Sequence, residues 1–290
     1  MLMNMKDLLT VAKEHKFAVP AFNTSSNMIL RGVMEACKEK KAPVIIAIHP
    51  DELSFVEDSF IASVKEEAAK TDVPVVIHLD HGGTFEQVLR AIRCGFTSVM
   101  IDASRLSFEE NIAITQKVVS VAHPLNISVE AELGTIGTTG NGAEEGADKI
   151  IYTDPAKAKE FVERTGADTL AIAIGTCHGI YPKNMKPKLR LDLLETIRDT
   201  VDIPLVLHGG SANSDDEIEK SAKLGISKIN ISSDIKDAFY RKCREILTKD
   251  QDAREPNAIY PPCIEAMKEV VYHKIDLFDD ADKVKYYYNK

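Results

Sequence analysis

Three of the eight histidines in this 290-residue chain, His81, His178 and His208, are each followed by glycine. Imidazole nitrogens bind Zn2+ and its neighbours well. Three that converge, with coordination positions left open, make a catalytic metal site rather than a structural one. Asp80 stands directly before the first, at the end of the same predicted strand. Asp102 and Glu132 add carboxylates that can bind the same ion or orient its ligands. Two stretches, Gly209-Gly210-Ser211 and Asn230-Ile231-Ser232-Ser233, offer backbone N–H groups and hydroxyls of the kind that cradle phosphate. The glycine-rich segment 134–149 carries Glu144 and Glu145 and has the length of a binding loop or lid. Cys177, beside His178, reads as a packing residue. His15, His123 and His273 read as structural, with His49 and His78 between the two classes.

These residues recur at matching points of a repeating pattern. Short β-branched runs at 17–23, 43–49, 73–81, 97–104, 127–134, 168–175, 203–209 and 227–232 predict parallel strands buried on both faces. Amphipathic stretches at 27–41, 58–71, 84–94, 106–122, 155–166, 190–201, 214–224 and 234–248 predict the helices between them. Eight such steps predict a single (β/α)8 barrel domain over 1–290, with an extra C-terminal helix at 257–277 and a peripheral tail. The chemistry then gathers where barrel chemistry sits, at the C-terminal ends of the strands. No GxGxxG follows the first strand and no P-loop is present, which disfavours a nucleotide-binding sheet.

Composition narrows the function further. With 36 basic against 45 acidic residues the net charge is −9, which argues against a general surface for nucleic acid or an anionic membrane and leaves room for a local phosphate pocket. No apolar run approaches the length of a membrane span, and the amphipathic start lacks the apolar block of a signal peptide. Five scattered cysteines without a CxxC predict reduced thiols in the cytoplasm.

The stretches AFN, LDHG, MIDAS, VEAELGTIG, AIGTCHGIYPK, VLHGGS and KINISSD, in that order over residues 20 to 235, resemble the zinc-dependent class II aldolases of ketose phosphates. PPCIEAMKEVV resembles that family's last helix. The resemblance implies a metal-dependent lyase of carbohydrate metabolism. It cleaves a ketose phosphate reversibly to dihydroxyacetone phosphate and an aldehyde. His81, His178 and His208 match the zinc ligands, with Asp102 and Glu132 at positions of alternative metal placement. Asp80 matches the acid/base that handles the aldehyde oxygen. Glu144 or Glu145 matches the group that exchanges the dihydroxyacetone phosphate proton. Gly179, Gly209, Gly210, Ser211, Asn230, Ser232 and Ser233 match the substrate pocket, together with Asn23 and the phosphate-contacting Lys183. A monovalent cation (Na+ or K+) near the phosphate and a homodimer or homotetramer belong to the same expectation.

Two departures concern the aldehyde half. A small hydroxyl residue usually follows the family's second strand, whereas here the stretch is His49-Pro50-Asp51-Glu52. The family's Asp-Pro-Arg before the last helix is replaced by Glu255-Pro256-Asn257, with Arg254 near by. Acidic residues repel a second phosphate. These departures favour a ketose 1-phosphate substrate. A true fructose- or tagatose-1,6-bisphosphate aldolase is the alternative. Further alternatives are a non-catalytic sugar-phosphate-binding partner subunit and another metal-dependent barrel lyase or epimerase.

Overall fold

The computed structural model describes residues 1–138, 150–179, 188–211 and 213–288. The eight apolar runs form β1 (Val19–Asn23), β2 (Val44–Ile48), β3 (Val75–Gly82), β4 (Ser98–Ile101), β5 (Ser128–Leu133), β6 (Thr169–Ile172), β7 (Leu205–Leu207) and β8 (Ile226–Ile231). They close in the order β1-β8-β7-β6-β5-β4-β3-β2, every neighbouring pair parallel. This is the (β/α)8 barrel that the alternation predicts.

The helices are α1 (Met5–His15), α2 (Asn27–Lys40), α3 (Pro50–Val56), α4 (Phe60–Ala69), α5 (Phe85–Cys94), α6 (Phe108–Ala122), α7 (Pro155–Thr165), α8 (Leu191–Arg198), α9 (Asp215–Leu224), α10 (Ser233–Lys249) and α11 (Pro256–Leu277). Their starts are written locally. Thr84 with Gln87 and Ser107 with Glu110 form reciprocal caps at α5 and α6, and Asp154 caps α7 ahead of Pro155. The sequence pattern does not single out α3. Its cap is His49, an unusual residue for that place, whose ring accepts from Asp51 N–H while Glu52 reaches back.

Alternation along the strands divides the core in two. Phe22, Ile46 and Ile77 face the outer helices, whereas Val19, Ala21, Ile45, Ala47 and Val76 fill the barrel's base. Met5, Leu8 and Leu9 of α1 plug that base from below. The C-terminal tail, expected to be peripheral, belongs to the same plug. Tyr287 Oη donates to the Leu8 carbonyl at 2.9 Å, and the Tyr286 ring stacks on His15 with centroids 3.7 Å apart. Three consecutive tyrosines bring enough apolar area to seal a surface that α1 leaves open.

Candidate active site

At the opposite end of the barrel the interior is polar. Val76, His78 and Asp80 alternate along β3, so they lie at successive depths of the interior. A register shift between Leu79 and Gly82 turns His81 to φ 51°, in the left-handed region, and brings it to the mouth as well. A non-glycine residue held there carries strain, which persists only when the surroundings enforce it. Here the chain is pinned beside it: a Cβ on Gly82 would lie 2.5 Å from the Met100 carbonyl oxygen.

The expected histidines converge. The ligand atoms of His81, His178 and His208 all lie within 4.8 Å of one another, and those of His81, Asp102 and Glu132 form a second such group that shares His81. His178 arrives on a two-residue ladder that pairs Cys177–His178 with Gly137–Thr138. His208 follows β7, where Gly209 has φ 63° and a Cβ would lie 2.6 Å from the Cys177 carbonyl oxygen. Glycine at 209 therefore lets the two histidine-bearing segments meet.

The hydrogen bonds around these rings test whether a cation belongs there. His81 Nδ1 lies 2.8 Å from Asp102 Oδ2, and His208 Nε2 lies 2.7 Å from Glu130 Oε1. Each carboxylate holds a proton on the near nitrogen of its ring. The far nitrogens, His81 Nε2 and His208 Nδ1, then face each other 2.8 Å apart. Two lone pairs cannot face each other at that distance without a cation to balance them: a proton shared along the line, or a metal to which both rings turn. The donor set fits a divalent ion such as Zn2+.

Electrostatics agrees. Burial lowers the His81 pKa, but Asp80, Asp102 and Glu132 outweigh it and raise the ring to about 10. Burial and the charge of His81 push His208 down against the pull of Glu130. The ring pair thus holds one proton where a metal can replace it. Burial pushes the Glu132 carboxyl well up, reinforced by Asp102, and its Oε2 lies 3.5 Å from His208 Nδ1.

Asp80 is fully buried, with the His81 ring and the Lys228 ammonium as its nearest positive charges. Burial raises its pKa, yet His81, Lys228, His208 and His78 together hold the carboxyl well below its usual range. Its oxygens accept from two amides, Asn23 Nδ2 at 2.8 Å and Asn230 Nδ2 at 2.9 Å. Asn23 and Asn230, expected with the substrate pocket, are thus engaged in orienting Asp80. Gly210 N–H donates to the Asn230 carbonyl, Ser232 N–H donates to Ser211 Oγ at 3.3 Å, and Ser233 opens α10. Gly179 follows His178 with φ 95°. The residues expected to cradle phosphate thus lie together at the ends of β7 and β8. Glu144, Glu145 and Lys183 lie outside the described residues.

Four residues that sequence reasoning did not assign adjoin the site. Glu130 and Lys228 pair in the barrel's middle, with Lys228 Nζ 2.7 Å from Glu130 Oε2. A lysine inside the predicted buried strand run 227–232 was the available signal. Lys236, one turn into α10, donates to Ser232 Oγ at 2.9 Å and pairs with Glu52. Arg105 lines a cavity of about 440 Å3 beside His81, together with His49, Asp51, Gln87, Asp102 and Leu106. The acidic stretch after β2 is therefore partly neutralised, because Glu52 has its own cation and only Asp51 faces the cavity. Arg254 is exposed on the segment before α11 and does not line it.

Comparison with known proteins agrees with this geometry. The family model for class II fructose-bisphosphate aldolase matches residues 3–283. A fructose-bisphosphate aldolase of Staphylococcus epidermidis is 41% identical over 98% of this chain and 99% of its own, and one of Geobacillus stearothermophilus is 40% identical over 97% and 98%. The crystal structure of the YdjI aldolase from Escherichia coli K12 superposes with a TM-score of 0.84 at 36% identity, covering 98% of this chain and all of that one. The chain belongs to the class II fructose-bisphosphate aldolase family and is an aldolase, a lyase built on a (β/α)8 barrel.

Proposed function

We propose that this protein is a zinc-dependent aldehyde-lyase that reversibly cleaves a ketose 1-phosphate or ketose 1,6-bisphosphate to dihydroxyacetone phosphate and an aldehyde. The observation that carries the reading is the convergence of His81, His178 and His208 beside a buried, ionised Asp80. In cleavage, the Asp80 carboxylate accepts the proton of the C4 hydroxyl as the C3–C4 bond breaks, a role suited to a group kept ionised at neutral pH. Asn23 and Asn230 hold that carboxylate in place, so its orientation is set before substrate arrives. His81, His178 and His208 would hold the zinc, with Asp102 and Glu132 as alternative ligands. When bound there, the ion stabilises the negative charge that develops on the ketose oxygens. Glu144 or Glu145 returns a proton to the enediolate carbon. Gly179, Gly209, Gly210, Ser211, Ser232, Ser233 and Lys183 hold the phosphate, whose binding energy orients a bond several atoms away.

The aldehyde occupies the cavity beside His81. Asp51 at its wall favours an aldehyde without a terminal phosphate, hence a ketose 1-phosphate. The second reading, a 1,6-bisphosphate, is favoured by Arg105 in the same wall and by the pairing of Glu52 with Lys236. The family expectation of a homodimer or homotetramer and of a monovalent cation near the phosphate completes the proposal. So does a cytoplasmic setting, supported by five cysteines that form no disulfide. No helix among the described residues is long and apolar enough to cross a membrane.

The test is cleavage of a panel of ketose 1-phosphates and 1,6-bisphosphates by chelated and zinc-restored protein, with dihydroxyacetone phosphate as the measured product. Zinc-dependent release from a 1-phosphate is expected. A strong preference for a bisphosphate selects the second reading, and no release from any ketose phosphate by zinc-loaded protein contradicts both.

A further inference from the structure

Below the rim, the barrel interior holds an ion pair to which no step of the proposed reaction assigns a direct part. Lys228 on β8 and Glu130 on β5 reach towards each other across the barrel, both with no exposed surface. Lys228 Nζ donates to both Glu130 oxygens, at 2.7 and 3.0 Å, and lies 3.2 Å from His78 Nε2. His78 Nδ1 in turn lies 2.9 Å from Ser98 Oγ. Every hydrogen bond from the ammonium thus ends inside the barrel.

Stability does not account for this pair. Removing two charges from water costs several kcal/mol each, and apolar residues of similar volume are often at least as stable. Barrel interiors are commonly filled with Val, Ile and Leu. Nor does Lys228 serve as a carbonyl-trapping amine: it has no access to the mouth and both carboxylate oxygens hold it. What distinguishes the pair is its third member. Glu130 Oε1, shared with Lys228, is also the oxygen 2.7 Å from His208 Nε2.

We propose that Lys228, acting through Glu130, is a positioning residue for His208. It fixes the carboxylate so that the imidazole keeps its proton on Nε2 and aims the Nδ1 lone pair at the metal position. The lysine clamps both carboxylate oxygens, so Glu130 cannot rotate away from the ring. Asp102, pinned by Ser104 N–H and Oγ, does the same for His81 from the other side. The two rings are thereby set from opposite walls, one by a carboxylate near the surface and one by a buried salt bridge. This inference rests on the metal reading of the histidine cluster.

The experiment measures zinc affinity by competition with a chromogenic chelator, and the visible spectrum of the Co2+-loaded protein, for the parent, Lys228→Met, Glu130→Gln and the double variant. Circular dichroism of the metal-free proteins shows which variants fold. Each single variant is expected to weaken zinc binding at least tenfold and to alter the Co2+ bands, within the 10- to 100-fold range typical of groups that orient metal ligands. Because Lys228 acts through Glu130, the double variant is expected to bind zinc no worse than the weaker single variant. The double variant leaves no unpaired buried charge, so its affinity carries the test should a single variant fail to fold. Parent-like zinc affinity in any folded variant overturns the assignment, as does a double variant whose loss is the product of the two single losses. A parent protein that binds no zinc overturns the metal reading and this inference together, whereas tight zinc binding by parent and variants alike overturns this inference alone.

Discussion

The same strands build both ends of the barrel, yet four residues along a strand, about 13 Å, separate a plug from a reaction site. On β3, Val76 belongs to the base with Ile45, Ala21 and the leucines of α1, while Asp80 at the mouth is surrounded by ionisable groups. The base holds its shape through apolar contact area, at roughly 25 cal/mol for each Å2 removed from water. The rim depends on directed hydrogen bonds: two amides on Asp80, one carboxylate on each of His81 and His208, and a left-handed backbone at His81. Between them lies a layer of His78, Glu130 and Lys228, joined to the rim through the bond from Glu130 to His208. Function is concentrated where packing alone would not choose the residues, as expected of sites that trade local stability for placed charge.

That contrast can be broken by substitutions that ought to separate turnover from stability. The largest effects lie at the rim. Asp80→Ala is expected to lower kcat by about 10^2- to 10^4-fold, the usual worth of a positioned acid or base, while zinc content and Tm stay near parent values. His208→Ala is expected to lose zinc and turnover together. Zinc retained at full occupancy by His208→Ala would remove that histidine from the ligand set.

The base should behave oppositely. Leu8→Ala empties a fully buried position, and a loss of about 2–5 kcal/mol in denaturant unfolding is expected, with kcat of the folded fraction unchanged. A large fall in kcat at constant zinc content would show that the plug and the rim are coupled through the middle layer.

Asp280 sharpens the comparison, because it is an ionisable group on the stability side. It is fully buried, neither oxygen has a hydrogen-bond partner, and burial pushes its carboxyl well above the ordinary value, with Lys283 opposing. A carboxyl with a raised folded pKa stabilises the fold when protonated. Parent stability therefore falls as pH rises from about 4 towards the folded pKa. Asp280→Asn keeps the neutral shape at every pH. Its Tm advantage is expected to grow from pH 5 to pH 8, reaching a few degrees, on the order of 1 kcal/mol. A constant or shrinking difference over that range would contradict the assignment. An effect of similar size belongs to the tail: Tyr287→Phe removes the hydrogen bond to Leu8 and should cost about 0.5–1.5 kcal/mol by denaturant unfolding, without touching zinc affinity.

Much of this was legible in the sequence, for identifiable reasons. The strand runs are nearly continuous in Val, Ile and Leu because both faces are buried, and His81, His178 and His208 stand out because each interrupts a strand end in the same His-Gly form. Depth was harder to read. Glu130 and Glu132 share one strand face two residues apart, and nothing local says that the first orients His208 from below while the second faces the mouth. The roles of Asn23 and Asn230 depend on β1 and β8 being neighbours of each other and close to Asp80, a consequence of barrel closure rather than of spacing. Lys236 and Glu52 pair over 184 residues of chain, beyond any local pattern. The tail looked peripheral because its partners, Leu8 and His15, lie at the other end of the sequence.

The most direct test of the account follows solvent deuterium into dihydroxyacetone phosphate with parent protein, chelated protein, zinc-restored protein and Asp80→Ala. The account predicts exchange that disappears with the chelator, returns with zinc and survives in Asp80→Ala, whose carboxyl serves the aldehyde oxygen and not the exchanging carbon. Exchange by metal-free protein, or none by zinc-loaded parent, would contradict it.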